Sequence, residues 1–533
     1  MTKYLLKRLL HGVLSIIAVV AIVMILVYSL MDRTTIFAAD TTYSKIKSNA
    51  KIAYMHRQWE QYGYLDYVPY ADYINELYKN GEIASEEERA AVVKIARKEF
   101  DSDGNPNDSE QTRAYIKKFT EYYESKGYTV VRKNAEMMTP TRVVPGGDPI
   151  LFATKDTSVF VRLFRYFTNL ISVDNIHYTA KETEIAVENP GLTFTLKDPL
   201  YGGEKLSPAI IGNGTKYKYL LYCDDQFPYI HQNLVTLKLG QSYSVNMGVD
   251  VFQTMTNAQG SYVKQMLTYP TGLQEEGAEN LHTATYVAGS HKLIGNNQRY
   301  TDDYTACTLY RSGMSRMGYS FVIGILASIM AYLLGVPLGI WMARKKDSLI
   351  DKLGTFYIVF IIAVPSLAYI FLFKAIGTKI GLPGTFLMDS TSKLMFVLPI
   401  VSLALPSIAT LMKWLRRYMI DQMNSDYVRF ARSGGLSERE IFSKHILKNA
   451  VIPIVHGIPG SILGALTGAI ITERVYVVPG AGNLLTEAIN RYDNAVIVGV
   501  TLFYAVLSVL SVIMGDILMA MVDPRISYTS KAR

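Results

Sequence analysis

Apolar residues along this chain gather in six long blocks, and a polar stretch of soluble-protein character separates the first block from the other five. The blocks run at about Val13–Met31, Ser320–Met342, Leu353–Phe373, Leu394–Met412, Ala450–Ile471 and Ala495–Val522. A bilayer core of about 30 Å needs about 20 apolar residues in helical form. Each block therefore predicts a membrane-spanning helix. Lys3, Lys7 and Arg8 precede the first, and Phe37-Ala38-Ala39 is a poor cleavage site, which favours a retained anchor over a signal peptide. Pro337, Pro365, Pro399 and Pro406 fall within blocks. In a bundle, neighbouring helices satisfy the carbonyls that proline frees, so these residues read as kinks or as hinges of a moving pathway.

The polar stretch, 32–313, predicts a separate domain, helical in its first half and β-rich in its second. Residues 85–100 have a capping Ser85, early acids and later bases, and 109–127 end on Gly127. Val159–Ile171 is an apolar helix with Arg162 and Arg165 three apart, suited to lie along a membrane surface or to pack on the spans. YKYLLYC, LVTLKL and SYSVNM, between 217 and 247, predict strands set off by Gly, Asn and Pro turns. Tyrosine is abundant here and serves either as core or as a gripping aromatic surface.

The whole chain is 49% hydrophobic with a net charge of +8. Residues 32–313 hold about 30 Lys and Arg against about 34 Asp and Glu, so the base excess belongs to the flanks of the spans. That distribution argues for positive-inside topology and against nucleic acid. Lys3/Lys7/Arg8, Arg344-Lys345-Lys346, Lys413/Arg416/Arg417 with the 425–449 loop, and Arg525/Lys531/Arg533 all fall on one side of a six-span chain. Both termini are then cytoplasmic and 32–313 extracellular, in a multi-pass protein of the plasma membrane.

No H-E-x-x-H, G-x-S-x-G or metal-spaced Cys/His cluster is present, and His231 and His282 read as structural. Cys223 and Cys307 are the only cysteines; they either pair or stay as free thiols. Asn107-Asp108-Ser109 and Asn213-Gly214-Thr215 match glycosylation acceptors, a tripeptide common by chance. No metal and no catalytic residue is assigned. Asp516, about two turns from the cytoplasmic end of the last span, reads as structural.

The loop Ser425–Asn449 predicts a short amphipathic helix, a break at Gly434-Gly435, and a second helix running into the next span. Ser437 caps that helix and Glu440 completes a capping-box pattern. Leu436, Ile441 and Phe442 supply an apolar ridge, and Glu438 and Arg439 its charge. Such an element fits the groove of a separate motor protein, or the surface of the membrane.

Ala431-Arg432-Ser433-Gly434-Gly435-Leu436-Ser437-Glu438, followed by His445 and Asn449, resembles the EAA loop of binding-protein-dependent ABC permeases in its peptide-transporter form. Tyr4–Leu9 is similar to the family's opening, Gly335-Val336-Pro337-Leu338-Gly339 to its second span, Leu398-Pro399 and Arg416-Arg417 to its fourth span and exit, and Arg165–Leu170 to a short external segment. Val478-Pro479-Gly480-Ala481-Gly482 resembles the turn after the fifth span, and Asp523-Pro524-Arg525-Ile526 the ending. The likeness covers 1–31 and about 314–526. It departs at Arg429-Phe430-Ala431, where the acid is missing, and at Met31-Asp32-Arg33, where the family has P-G-D-P. The large external insertion is similar to the Ami-type oligopeptide permease of Gram-positive bacteria.

The resemblance implies a six-span type I ABC importer permease with a large α+β extracellular domain between spans 1 and 2. It divides the chain into 1–31, 32–313, a permease core at 314–526 and a tail at 527–533. It implies a second, different permease, two ATPases that hold ATP and Mg, an extracellular peptide-binding lipoprotein and an oligopeptide cargo. The chain has no G-x-x-x-x-G-K-[ST], so the ATPase must be separate. Coupling then falls to 431–449. Pro479, Gly480 and Gly482 shape an outer gate or a plain turn, and Glu473 and Arg474 beside them can pair. Backbone groups and an adaptable cavity suit varied cargo better than fixed charges. The outer domain would dock the binding protein or cap the cavity. Two other classes are weighed: a secondary transporter, which wants paired intramembrane carboxylates or broken helices in repeated halves, and a membrane-anchored surface receptor working through 32–313. Neither paired carboxylates nor repeated broken helices stand out in the sequence, and the receptor class leaves the 425–449 loop unexplained.

Overall fold

The computed structural model describes residues 2–138, 143–145, 147–173, 175–176, 189–197, 204–215, 219–222, 229–230, 235–263, 265–268, 274–277, 284–286, 300–302, 310–311, 313–387 and 392–523. Cys223, Cys307, His231, His282 and Pro524–Ile526 lie outside these residues.

The chain begins with α1 (Thr2–Leu30), an apolar helix whose outward face is a run of exposed leucines, isoleucines and valines. The polar domain that follows is built on β1 (Leu65–Pro69), β2 (Thr129–Lys133) and β3 (Ile150–Asp156). They form an antiparallel sheet in the order β1-β3-β2. Side chains alternate across a strand, and here both faces are covered. Phe152 joins Trp59, Leu65 and Tyr67 on one side, while Leu151 and Ala153 join Tyr70, Ile74 and Phe119 on the other. The helix after Ser85 stops at Val93, short of the expected Phe100, and 94–100 leave it as irregular chain. Asp108 explains part of that exit. It accepts from the Ala96 amide and pairs with Arg132 at 2.7 Å, so it draws the chain away from helical bonding. The helix at Glu110–Ser125 has its Ser109 cap and a left-handed Gly127.

Next comes α2 (Val159–Asn169), then β4 (Ile171–Val173). A four-stranded antiparallel sheet follows from β5 (Gly191–Thr195), β6 (Ala209–Asn213), β7 (Tyr219–Tyr222) and β8 (Tyr229–Ile230), in the order β8-β7-β6-β5. β9 (Val235–Leu237) pairs back with β4. The expected strand at Ser242–Met247 is absent; the segment is a tight loop for a reason given below.

The main helices of the bundle that follow are α3 (Arg316–Arg344), α4 (Leu349–Ala363), α5 (Ser366–Lys379), α6 (Val397–Met423), α7 (Lys448–Tyr476), α8 (Ala481–Asn490) and α9 (Asn494–Val522). Among the described residues, five helices are long and apolar enough to cross a membrane. The block expected as one helix at Leu353–Phe373 is instead α4 and α5, bent by 113° at Val364-Pro365. Proline lacks the amide that would continue the helix and pushes its predecessor out of helical geometry. The pair still follows α6 lengthwise, from Asp351 on Arg416, through Tyr357 bonded to the Leu405 carbonyl, to Gly377 against Leu398.

Gly335 and Gly339, one turn apart, bring α3 onto α6. A Cβ at either would lie 3.0–3.3 Å from Leu411, Met412 or Leu415, so a larger residue would push against α6 at that crossing. At one end α1 is fastened to α9, where Tyr4 donates to Asp516 at 3.0 Å and Arg8 pairs with it at 3.0 Å. The polar domain sits at the opposite end of the bundle, and the 425–447 loop sits at the Arg8–Asp516 end, beside Arg344.

Candidate functional site

Three places in the bundle could act on something outside the chain. The first is the loop between α6 and α7. The helix Asp426–Ser433 ends in a Schellman arrangement: Leu436 N–H reaches the Ala431 carbonyl, Gly435 N–H reaches Arg432, and Gly435 takes φ +83°. Ser437 then opens the next helix with a formed capping box to Glu440. From Ile441 to Leu447 the backbone widens into a π-helical turn before α7. Val428, Ile441 and Ile446 are buried in the main bundle core, so the loop is anchored at both halves. Tyr427 adds a polar tie, donating to Gln422 at 2.7 Å and accepting from Asn449 at 3.1 Å, with the His445 ring tilted beside it.

This geometry corrects the expected ridge. Ile441 is fully buried, and Phe442 is half-buried under the Arg344 guanidinium. Of the three ridge residues Leu436 alone is exposed, at 37%, while Phe430, read from sequence only as part of a motif, is 76% exposed. Arg432 and Glu438 bridge the glycine turn at 2.6 Å, Glu440 pairs with Lys444 at 3.3 Å, and Ala431 and Arg439 flank these pairs. Phe430 could have been found from the helix period, since it falls opposite the buried Val428.

The second place is a cavity of about 360 Å³ lined by α3, α5, α6 and α7. Its wall carries hydroxyls from Ser328, Tyr332, Ser366, Ser402, Thr410 and Ser461, and no charged side chain among the described residues. Tyr332 and Ser461 share a hydrogen bond of 3.0 Å. Ser366 is the first residue of α5, so the Pro365 break opens onto this space. No single motif in the sequence marked these hydroxyls; they come together only from four helices.

The third is the turn between α7 and α8. Glu473 is fully buried and accepts from Ser320 Oγ at 2.5 Å and from the Asn483 amide at 2.9 Å; Ser320 in turn accepts from the Ala481 amide at 2.8 Å. The carboxylate thus satisfies the open amides of the first turn of α8, where negative charge is favoured. A Cβ at Gly480 would lie 2.3 Å from that carboxylate, and one at Gly482 would lie 2.8 Å from the Ile470 backbone. Both glycines are needed for the approach. Pro479 precedes Gly480, the helix-capping residue. The expected Glu473–Arg474 pair does not form. Consecutive residues on a helix point in different directions, and Arg474 donates instead to Asn483 at 3.1 Å.

Two buried ionic features escaped sequence reading altogether. Arg416 grips Asp351 through two bonds of 2.5 and 2.7 Å. Asp493 accepts from Ser242 Oγ at 2.6 Å and from the Tyr243, Ser244 and Val245 amides at 3.0 Å each. That cluster of amides around one carboxylate is why 242–247 is a loop and not a strand.

Among families, the one described as the binding-protein-dependent transport system inner membrane component matches residues 335–528. The chain is 33% identical over 539 residues to the oligopeptide transport system permease protein AmiC of Streptococcus pneumoniae, covering 100% of this chain and 99% of that protein. It is also 33% identical over 217 residues to the dipeptide transport system permease protein DppB of Lactococcus lactis, covering 40% of this chain and 69% of that one. A solved amino acid ABC transporter aligns over 40% of this chain at 16% identity with a TM-score of 0.31, a likeness too slight to argue from.

Proposed function

The chain belongs to the binding-protein-dependent peptide permeases of ABC importers, and from that premise we propose that it forms one half of an oligopeptide pathway driven through its 425–449 loop. It is a multi-pass membrane subunit of a transporter, not itself catalytic. In this reading α1, α3, the broken α4–α5 pair, α6, α7 and α9 are six spans. Both termini face the cytoplasm, and 32–313 face outward. A second permease completes the pathway, two ATPases that hold ATP and Mg supply the work, and a lipoprotein delivers peptide.

The observation that carries the coupling is the division of the loop into an anchored and a free side. Val428, Ile441 and Ile446 are held in the bundle core, while Phe430 and Leu436 stand exposed at the end away from the polar domain. A motor that fills its groove with these two side chains gains purchase on α6 and α7 through the buried three. Gly435 sets the turn, Ser437 and Glu440 stiffen the second helix, and Arg432 with Glu438 hold the two halves in register. When the ATPases close on ATP, α7 reorients, the hydroxyl-lined cavity faces outward and takes peptide, and hydrolysis resets it. Hydroxyls and backbone groups serve peptides of varied sequence, because they pair with the peptide main chain. Glu473, Arg474, Pro479, Gly480 and Gly482 form the outer closure.

The test is uptake of a labelled oligopeptide by cells carrying Phe430→Asp with Leu436→Asp. Both positions are exposed, so membrane levels should stay normal while uptake falls about tenfold or more. Undiminished uptake would remove the loop from the coupling path.

A further inference from the structure

A second cavity, of about 330 Å³, lies where the polar domain meets the ends of α1 and α9. Arg162 of α2 is buried in its wall at 8% exposure, its guanidinium 3.7 Å from the ring centre of Tyr28 and 4.0 Å from that of Tyr64. No carboxylate pairs with it among the described residues. One end of the Asn494 amide bonds the Tyr64 hydroxyl, while the other end is buried without a partner, on a residue only 7% exposed. The Tyr166 hydroxyl is buried and unpartnered too. Arg165, which also reaches Asp66 at 3.9 Å in an exposed pair, and Lys238 add two further cations to the lining, and its one acid, Asp493, is already saturated by the 242–245 loop. Burial raises the Tyr62 hydroxyl to about 12 and the Tyr64 and Tyr166 hydroxyls above their usual range, so the tyrosines bring no negative charge.

The surroundings are apolar. Met24 and Tyr28 put the lip of the cavity on α1, whose Leu26 and Leu30 are exposed close by. From α2 the chain runs into the β4–β9 ribbon, where the exposed apolar pairs Ile171–Leu237 and Val173–Val235 lead up to Lys238. Cations at the edge of an apolar surface that continues the outer face of a membrane span suit a lipid better than a soluble anion.

We propose that this cavity binds the headgroup of an anionic phospholipid with a hydroxyl-bearing head, such as phosphatidylglycerol, from the outer leaflet. The phosphate sits among Arg162, Arg165 and Lys238. A headgroup hydroxyl donates to the free end of Asn494, and the acyl chains lie against α1, α2 and the β4–β9 ribbon. The proposal rests on the outward placement of 32–313.

The full-length protein, purified in neutral detergent, is titrated with phosphatidylglycerol, with phosphatidylcholine and with soluble glycerol phosphate, read by native mass spectrometry and thermal unfolding. Phosphatidylglycerol should bind about tenfold or more tighter than phosphatidylcholine. Arg165→Glu with Lys238→Glu, both exposed, should abolish that preference without lowering the unfolding midpoint in the absence of lipid. Equal binding of the two lipids, or a preference that survives the double reversal, overturns the proposal. Glycerol phosphate binding as tightly as the lipid overturns it in favour of a free phosphate ester. Protease added to intact cells checks the placement separately. Cleavage within 32–313 without lipid preference sinks the lipid site alone; protection of 32–313 sinks the placement.

Discussion

Two sets of loops, at opposite ends of the helix bundle, are closed in opposite ways. At the end that carries the polar domain, loops are closed by buried carboxylates: Glu473 holds the start of α8 and Asp493 holds the 242–245 loop, each taking amides and a serine hydroxyl. At the other end the turn between α6 and α7 is crossed by exposed ion pairs, and two large apolar side chains stand free. A buried acceptor is costly to remove because its donors are left unpaired, whereas an exposed ion pair contributes little. The first loops are closed within the chain. The second is stable by itself and, in the coupling proposed above, is covered by a partner.

The contrast can be broken most severely at Glu473. Glu473→Ala leaves the Ser320 hydroxyl and the Asn483 amide without their acceptor inside the bundle and opens a void, which should destabilise the protein by about 3–5 kcal/mol. A large fall in the thermal unfolding midpoint of the purified protein is the expected reading; an unchanged midpoint would mean that the turn is not held by its carboxylate. Asp493→Ala should cost less, about 1–3 kcal/mol, because the freed Ser244 and Val245 are only half-buried and their amides can turn to water. Hydrogen exchange should quicken at 242–246 and stay slow in β1–β3. At the far end Arg432→Ala should leave the unfolding midpoint unmoved, since both members of the pair are mostly in water. A clear loss of stability there would erase the distinction between the two ends.

What could be read from sequence follows the range of the interactions. The Ser437–Glu440 capping box and the Ser109 cap act over three residues and were legible as local patterns. Gly335 and Gly339 were legible as a motif, though their purpose, the approach of α6, belongs to a helix some seventy residues away. Ser242–Met247 alternates like a strand, but its amides go to Asp493, about 250 residues on, and no period in the sequence reveals that acceptor. Ile441 was misjudged for a related reason. The helix period gives a face, and only the neighbours decide which face is inside; the bundle core claimed Ile441 and left Phe430 out. The continuous block at Leu353–Phe373 hid a sharp bend because hydropathy is blind to direction, although Pro365 marked where the direction would change.

The grip of Asp493 on the polar domain has a mechanical consequence. The domain hangs from α1 by the chain itself and by Arg162 over Tyr28, returns to α3 through Gln259 bonded to the Met314 carbonyl, and is latched to α9 by Asp493. A body joined to three struts at one level removes the freedom of those struts to pivot against each other. Helices α1, α3 and α9 are therefore braced against one another at the level of the polar domain.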